Sequence, residues 1–222
     1  VQKGQERGAV SAPLSSSLRQ NCLANHRPFN LSGDTKGQKP DAIFITCSDS
    51  RVVPNLITTT EPGELFVIRN AGNIVPPYGV WSGEEASIEY AINALEVKDI
   101  IVCGHSQCGA IKGLLKPDSL EELPAVAHWL RHAEDTKRIL DENYHEQDFE
   151  TILNIAIQEN VLVQIEHLRT LPCIAKRIMK REIELHAWTY QIETGKVYIY
   201  DPIAEDFCPL IKTENGFELC ME

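Results

Sequence analysis

The chain has 222 residues, enough for one compact domain with a sizeable core or at most two small ones. Hydrophobic residues make up 43% and charged residues 24%, the balance of a folded globular chain and not of a disordered one. Lys and Arg number 21 against 32 Asp and Glu, so the net charge of -11 argues against a nucleic-acid backbone or an anionic membrane as the main partner.

Residues 1–35 read as a poorly defined N-terminal arm, with a Ser15-Ser16-Ser17 run, and residues 36–222 as a single domain. From Pro40 the pattern sharpens. Ala42–Cys47 is a short apolar run with Ile, Phe and Thr, the pattern of a buried strand. Glu64–Arg69 reads as a second strand and Ile100–Gly104 as a third. Between them Ile88, Ala91, Ile92 and Leu95 share one face of a helix over Ser82–Val97, and Ser82 with Glu85 three residues on marks its start. Ser106–Lys116, Leu120–Asn143, Phe149–Arg169 and Pro172–Arg181 are the next helical segments. Glu184–Ile192 and Val197–Asp201 alternate around Glu193-Thr194-Gly195, the signature of a terminal hairpin. The order predicts an α/β fold: a mostly parallel central sheet flanked by helices, with an antiparallel edge strand from the C-terminal hairpin. No stretch reaches the roughly 18 apolar residues of a membrane helix and no apolar signal core stands near the start, so a cytoplasmic setting is expected. Seven cysteines, an odd number spread through apolar runs, fit a reducing compartment in which some thiols are free or bind metal.

Two segments carry chemistry. Cys47-Ser48-Asp49-Ser50-Arg51 closes the first strand and Gly104-His105-Ser106-Gln107-Cys108-Gly109 follows the third. In an open parallel sheet both strand ends face the same crevice. Cys47, His105 and Cys108 offer two thiolates and an imidazole, the ligands zinc prefers. Three protein ligands leave the fourth tetrahedral position open, as in catalytic zinc sites. Alternation along extended backbone puts Cys47, Asp49 and Arg51 on one side, so the carboxylate reaches the metal's surroundings with the guanidinium holding it ionised. Cys103, Cys173 and Cys208 read as small core residues, while Cys22 and Cys220 near the termini carry no such signal.

CSDSR (47–51) followed by GHSQCG (104–109) closely resembles the β-class carbonic anhydrases. The resemblance runs from about Lys36 to Leu115, through EPGELFVIRNAGN (61–73), VPPYG (75–79) and SIEYAINALEV (87–97), and returns in LHAWTYQIETGKVYIYD (185–201). The chain looks most like the branch found in plants and cyanobacteria, and its C-terminal half is similar to carboxysomal members. The resemblance implies one zinc per chain on Cys47, His105 and Cys108, with Asp49 and Arg51 as the catalytic dyad. It implies that Gln38 donates to a substrate oxygen and that the Gly109 N–H faces the substrate. Phe66, Ala71 and Tyr90 match positions lining a small apolar pocket, slightly widened because relatives carry valine or isoleucine at position 71. A tryptophan that marks bicarbonate-regulated members is absent, since Phe44 stands there. The implied reaction is zinc-dependent hydration of CO2 to bicarbonate and a proton in a homodimer or larger homo-oligomer, with a carboxysome and its shell proteins as a possible setting. A CS2 or COS hydrolase, or a carboxysome scaffold protein with a structural zinc, are the alternatives.

Overall fold

The computed structural model describes residues 37–213 and 216–219. The expected arm, residues 1–35, lies outside them. Four strands build the parallel part of the sheet: β1 (Ala42–Cys47), β2 (Leu65–Asn70), β3 (Asp99–His105) and β4 (Glu184–Gln191). Antiparallel strands β5 (Lys196–Asp201), β6 (Asp206–Thr213) and β7 (Gly216–Leu219) extend it, in the order β2-β1-β3-β4-β5-β6-β7. The α/β architecture is the expected one. The antiparallel part is larger than a single edge strand, because β6 and β7 add beyond the hairpin of β4 and β5. β1 and β3 lie side by side at the centre. All six residues of β1 are buried, as its unbroken apolar run requires of a strand covered on both faces.

The helices are α1 (Pro54–Thr58), α2 (Gly83–Asn93), α3 (Gly109–Leu115), α4 (Pro124–Leu130), α5 (Glu134–Asn143), α6 (Phe149–Thr170) and α7 (Pro172–Met179). Ser82 caps α2 as anticipated, its Oγ accepting from Glu85 N at 3.1 Å. The single helix expected over Leu120–Asn143 is broken. Pro124 starts α4 at its first turn, where a missing N–H costs nothing, and a 3-10 turn over Arg131–Ala133 separates α4 from α5. The helix expected from Ser106 begins only at Gly109, because Gln107 takes a left-handed φ of 58°. One face of the sheet packs its Ile43, Ile45, Ile100 and Val102 against Ile88, Ile92, Val161 and Leu168. A smaller apolar cluster, with Ile111, Leu140, Leu153 and Ile157, surrounds Cys47 and Cys108.

Candidate metal centre

β1 is flanked by β2 on one side and β3 on the other, so consecutive connections leave in opposite directions and open a crevice at the carboxyl ends of β1 and β3. Register places Thr46 beside Cys103, and Thr46 Oγ1 donates to Cys103 O at 2.8 Å. Cys47 and His105 therefore leave adjacent strand ends together. Cys108, the residue before α3, supplies the third group. The ligand atoms of Cys47, His105 and Cys108 lie within 4.8 Å of one another, and all three residues are buried.

Three observations test whether this group fits a zinc ion. The two sulfurs stand 3.9 Å apart, far beyond a disulfide bond and close to the ~3.8 Å that two zinc–sulfur bonds of 2.3 Å span at a tetrahedral angle. His105 Nδ1 lies 2.8 Å from the Ser106 carbonyl, which can only accept, so Nδ1 carries the proton and Nε2 the lone pair. That Nε2 is buried and has no hydrogen-bond partner among the described residues. The donor set fits. The Cys108 hydrogen bond, more than burial opposes it, draws the Cys47 thiol down to about 4. Cys108 is pushed up, first by that same bond to Cys47 and then by burial.

Asp49 and Arg51 meet as expected but by a different route. The chain turns at once after β1, with Val52 N donating to Asp49 O at 3.0 Å. Arg51 donates its backbone N–H to Asp49 Oδ1 at 3.0 Å, and its Nε and Nη2 bond the two carboxylate oxygens at 3.0 and 2.8 Å. This fork holds the Asp49 carboxyl well below the usual carboxylate range. The Asp49 side chain keeps only 19% of its surface in solvent while Arg51 keeps 50%. Arg69, which the sequence did not single out, secures the turn: Nε donates to Cys47 O at 3.1 Å and Nη2 to Asp49 O at 2.7 Å. Ser106 was likewise unassigned. Its Oγ donates to Glu193 Oε2 at 2.6 Å and accepts from Ile192 N at 2.9 Å, tying the loop beside His105 to the turn between β4 and β5. Both lie inside segments already marked, Arg69 in 61–73 and Ser106 in 104–109, but hydrogen bonds to groups so far along the chain leave no pattern in the sequence.

The five expected substrate-binding residues fall into two groups. Ala71 and Gly109 flank the centre: Ala71 precedes Gly72, whose N–H points at Cys47 Sγ at 3.4 Å, and Gly109 follows Cys108 directly. A Cβ on Gly109 would meet nothing within 4 Å among the described residues, so their packing does not demand a glycine there. Phe66 and Tyr90 come together, ring centroids 6.4 Å apart, but elsewhere. Phe66 pairs with Ile43, four residues before Cys47, which puts it about 13 Å down the sheet at 3.3 Å per residue. Gln38, exposed and ahead of β1, lies toward that same amino end. Within one chain these three are not brought to Cys47, His105 and Cys108.

Cys103 is the buried core thiol expected, pushed up to about 12 by burial. Cys173 and Cys208 are only half-buried. A second group, Asp99, Glu184 and His186, also gathers its ligand atoms within 4.8 Å, but it is partly exposed and His186 Nε2 already pairs with Asp99 Oδ1 at 2.9 Å. Among the described residues no helix is long and apolar enough to cross a membrane.

Residues 42–197 match the family model described as carbonic anhydrase. The carbonic anhydrase of Synechocystis sp. is 50% identical over 203 residues, covering 90% of this chain and 74% of that protein. Among solved structures, the β-carbonic anhydrase CcaA is 49% identical with a TM-score of 0.79, covering 86% of this chain and 95% of that one. A tetrameric β-carbonic anhydrase of the ascomycete Sordaria macrospora is 31% identical with a TM-score of 0.68, covering 82% of this chain and 90% of that one.

Proposed function

This chain belongs to the β-class carbonic anhydrases, and we propose that it hydrates CO2 reversibly to bicarbonate and a proton at one zinc per chain held by Cys47, His105 and Cys108. The observation that carries the proposal is the buried meeting of two sulfurs 3.9 Å apart with an unpartnered imidazole nitrogen, beside a carboxylate kept ionised by an arginine fork. Zinc bound there supplies an acidified water, and so a hydroxide nucleophile near neutral pH.

The chain's residues do the rest. Asp49, locked as an acceptor by Arg51, takes the hydrogen bond of the attacking O–H and aims its lone pair. The same carboxylate repels an anion that brings no proton to donate. Arg69 keeps the turn that carries Asp49 at a fixed height over Cys47. The Gly109 N–H and the Gln38 amide donate to the oxygens of CO2 as they gain charge. Phe66, Ala71 and Tyr90 form the apolar wall that keeps bulk water away.

Because Gln38, Phe66 and Tyr90 lie near the opposite end of β1 from their own metal ligands, they serve the centre of a second copy. Each cleft is then built from two chains, as the family resemblance implies. Support comes from β2, an outermost strand with Val67 exposed, and from Tyr90, half of whose surface is in solvent. The tetrameric Sordaria relative supports a homo-oligomer. A carboxysomal setting rests on the similarity to a cyanobacterial enzyme, and co-purification with shell proteins tests it.

Stopped-flow CO2 hydration decides the activity. Purified protein should turn over CO2, lose that activity to a zinc chelator and regain it with zinc. CS2 assayed in parallel should be a poor substrate. Zinc-loaded protein inert toward CO2 but active on CS2 would replace this reading with the hydrolase alternative.

A further inference from the structure

Three polar side chains on α6 sit where an apolar face is expected. Asn160, Gln164 and His167 follow helical spacing along one side of the helix, and Asn160 is only 1% exposed. Buried polar groups destabilise a fold unless each finds a partner, so their partners matter. All three turn to one short segment after β2. Asn160 Nδ2 donates to Gly72 O at 3.0 Å, Val75 N donates to Gln164 Oε1 at 2.8 Å, and His167 Nδ1 lies 2.7 Å from Val75 O. The orientation of both amides follows from the network. A carbonyl only accepts, so the Asn160 nitrogen must face Gly72 O; its oxygen then accepts from Gln164 Nε2 at 3.0 Å and Thr136 Oγ1 at 3.3 Å.

The segment they hold is special at Gly72. Its φ of +87° is one that other residues rarely adopt, and a Cβ there would sit 3.2 Å from Ala110 Cβ. That conformation turns the Gly72 N–H toward Cys47 Sγ at 3.4 Å. The peptide whose carbonyl Asn160 grips follows directly on the amide that reaches the sulfur. From this chain of contacts we infer that Asn160 is a positioning residue for the metal ligand Cys47, acting through Gly72: it fixes the glycine so that one N–H always faces the sulfur. The inference rests on the metal-site reading above. An N–H donated to a thiolate draws charge from the sulfur and orients it, which is how groups behind a ligand tune a metal centre.

The test uses the full chain with metal and needs no turnover. Apo protein is titrated with Co2+ while the sulfur-to-cobalt charge-transfer absorption is recorded, and zinc affinity is measured by chelator competition. Asn160→Leu keeps the branched shape without a donor. It is expected to shift the charge-transfer band to lower energy, because the sulfur becomes a stronger donor, and to weaken zinc roughly 10- to 100-fold. Ile92→Ala, a fully buried change in a different apolar cluster from the one that holds Cys47 and Cys108, should lower the melting temperature and leave band and affinity alone. An Asn160→Leu protein that melts earlier but matches wild type in both readouts overturns the inference. No charge-transfer band in wild type overturns the metal-site reading with it. If Asn160→Leu does not fold, wild type loaded with 113Cd decides: a scalar coupling between cadmium and the Gly72 amide proton across Sγ supports the inference, and its absence overturns it.

Discussion

Gly104 stands between Cys103 and the proposed ligand His105, and α6 crosses directly over it. A Cβ at this position would lie 2.8 Å from Val161 Cγ2 and 3.2 Å from Ile157 Cγ2. Carbon atoms rest at about 3.5–4.0 Å, so Gly104→Ala asks for a displacement of about 0.7 Å at the closer contact. Val161 cannot swing aside cheaply, since a β-branched side chain in a helix is held near one rotamer. Nor can α6 lift freely, because Asn160 and Gln164 on either side of Val161 are bonded to Gly72 and Val75. Overpacking of this kind costs about 1–3 kcal/mol. In a domain of this size that is a fall of roughly 2–12 °C in melting temperature. The strain is applied one residue from a metal ligand, so zinc affinity should fall as well. Val161→Ala removes the offending methyl. Alone it costs about 2 kcal/mol, from two methyl groups lost from the core and the cavity left behind. Combined with Gly104→Ala it should recover about 1–2 kcal/mol relative to the sum of the two single changes. Thermal unfolding of the four proteins in the cycle, with chelator competition for zinc, measures this. A Gly104→Ala protein as stable as wild type, or strictly additive changes, would refute the packing argument.

Asp49→Asn keeps the shape of the turn but removes the ionised acceptor, so zinc content by elemental analysis should be unchanged while CO2 hydration falls by about 10²-fold or more; full turnover would remove Asp49 from its role. In the proposed ligand set two thiolates would offset the formal charge of Zn2+, which three neutral imidazoles would not, so a water held there would be less acidified and hydration should climb on the alkaline side of neutrality. A rate already flat from acidic pH upward contradicts that ligand set. At the start of α6, Asp148 accepts from Glu150 N at 3.0 Å, Thr151 N at 3.1 Å and the Thr151 hydroxyl at 2.5 Å. The Thr151 hydroxyl first, and then its amide, pull the Asp148 carboxyl below its ordinary value. A carboxyl depressed in the fold contributes stability above its unfolded pKa and loses it as pH falls through the folded one. Asp148→Ala should therefore melt earlier than wild type at pH 7, with the gap closing below about pH 4; a gap independent of pH would contradict this.

The division of the candidate site follows from sheet register. The expectation that Asp49 and Arg51 meet beside Cys47 rested on alternation along extended backbone, but the strand ends at Cys47 and the contact is made by a turn in which Arg51 N–H bonds the carboxylate. Phe66 and Tyr90 were legible as a pair by resemblance. Their distance from Cys47 was not, because it depends on which residue of β1 faces Phe66 across the ladder. The polar stripe of α6 was present in the sequence as Asn160, Gln164 and His167 at helical spacing, yet its partners lie about 90 residues earlier, at Gly72 and Val75.

Local pattern therefore settled what depends on neighbours in the chain. Short apolar runs rich in Ile and Val become strands buried on both faces, Ser82 starts α2, and the HxxC spacing at a strand end brings His105 and Cys108 into one buried group. Tertiary structure alone decided what depends on distant partners. The 3-10 break before α5 carries no glycine or proline to announce it, and Pro209 inside β6 masks a strand that exists because β5 and β7 pair with it. The tilt of the Gly72 amide toward a sulfur belongs to that second class. Hydrogen bonds between remote backbone and side-chain groups depend on how the elements pack, and packing is a property of the whole chain.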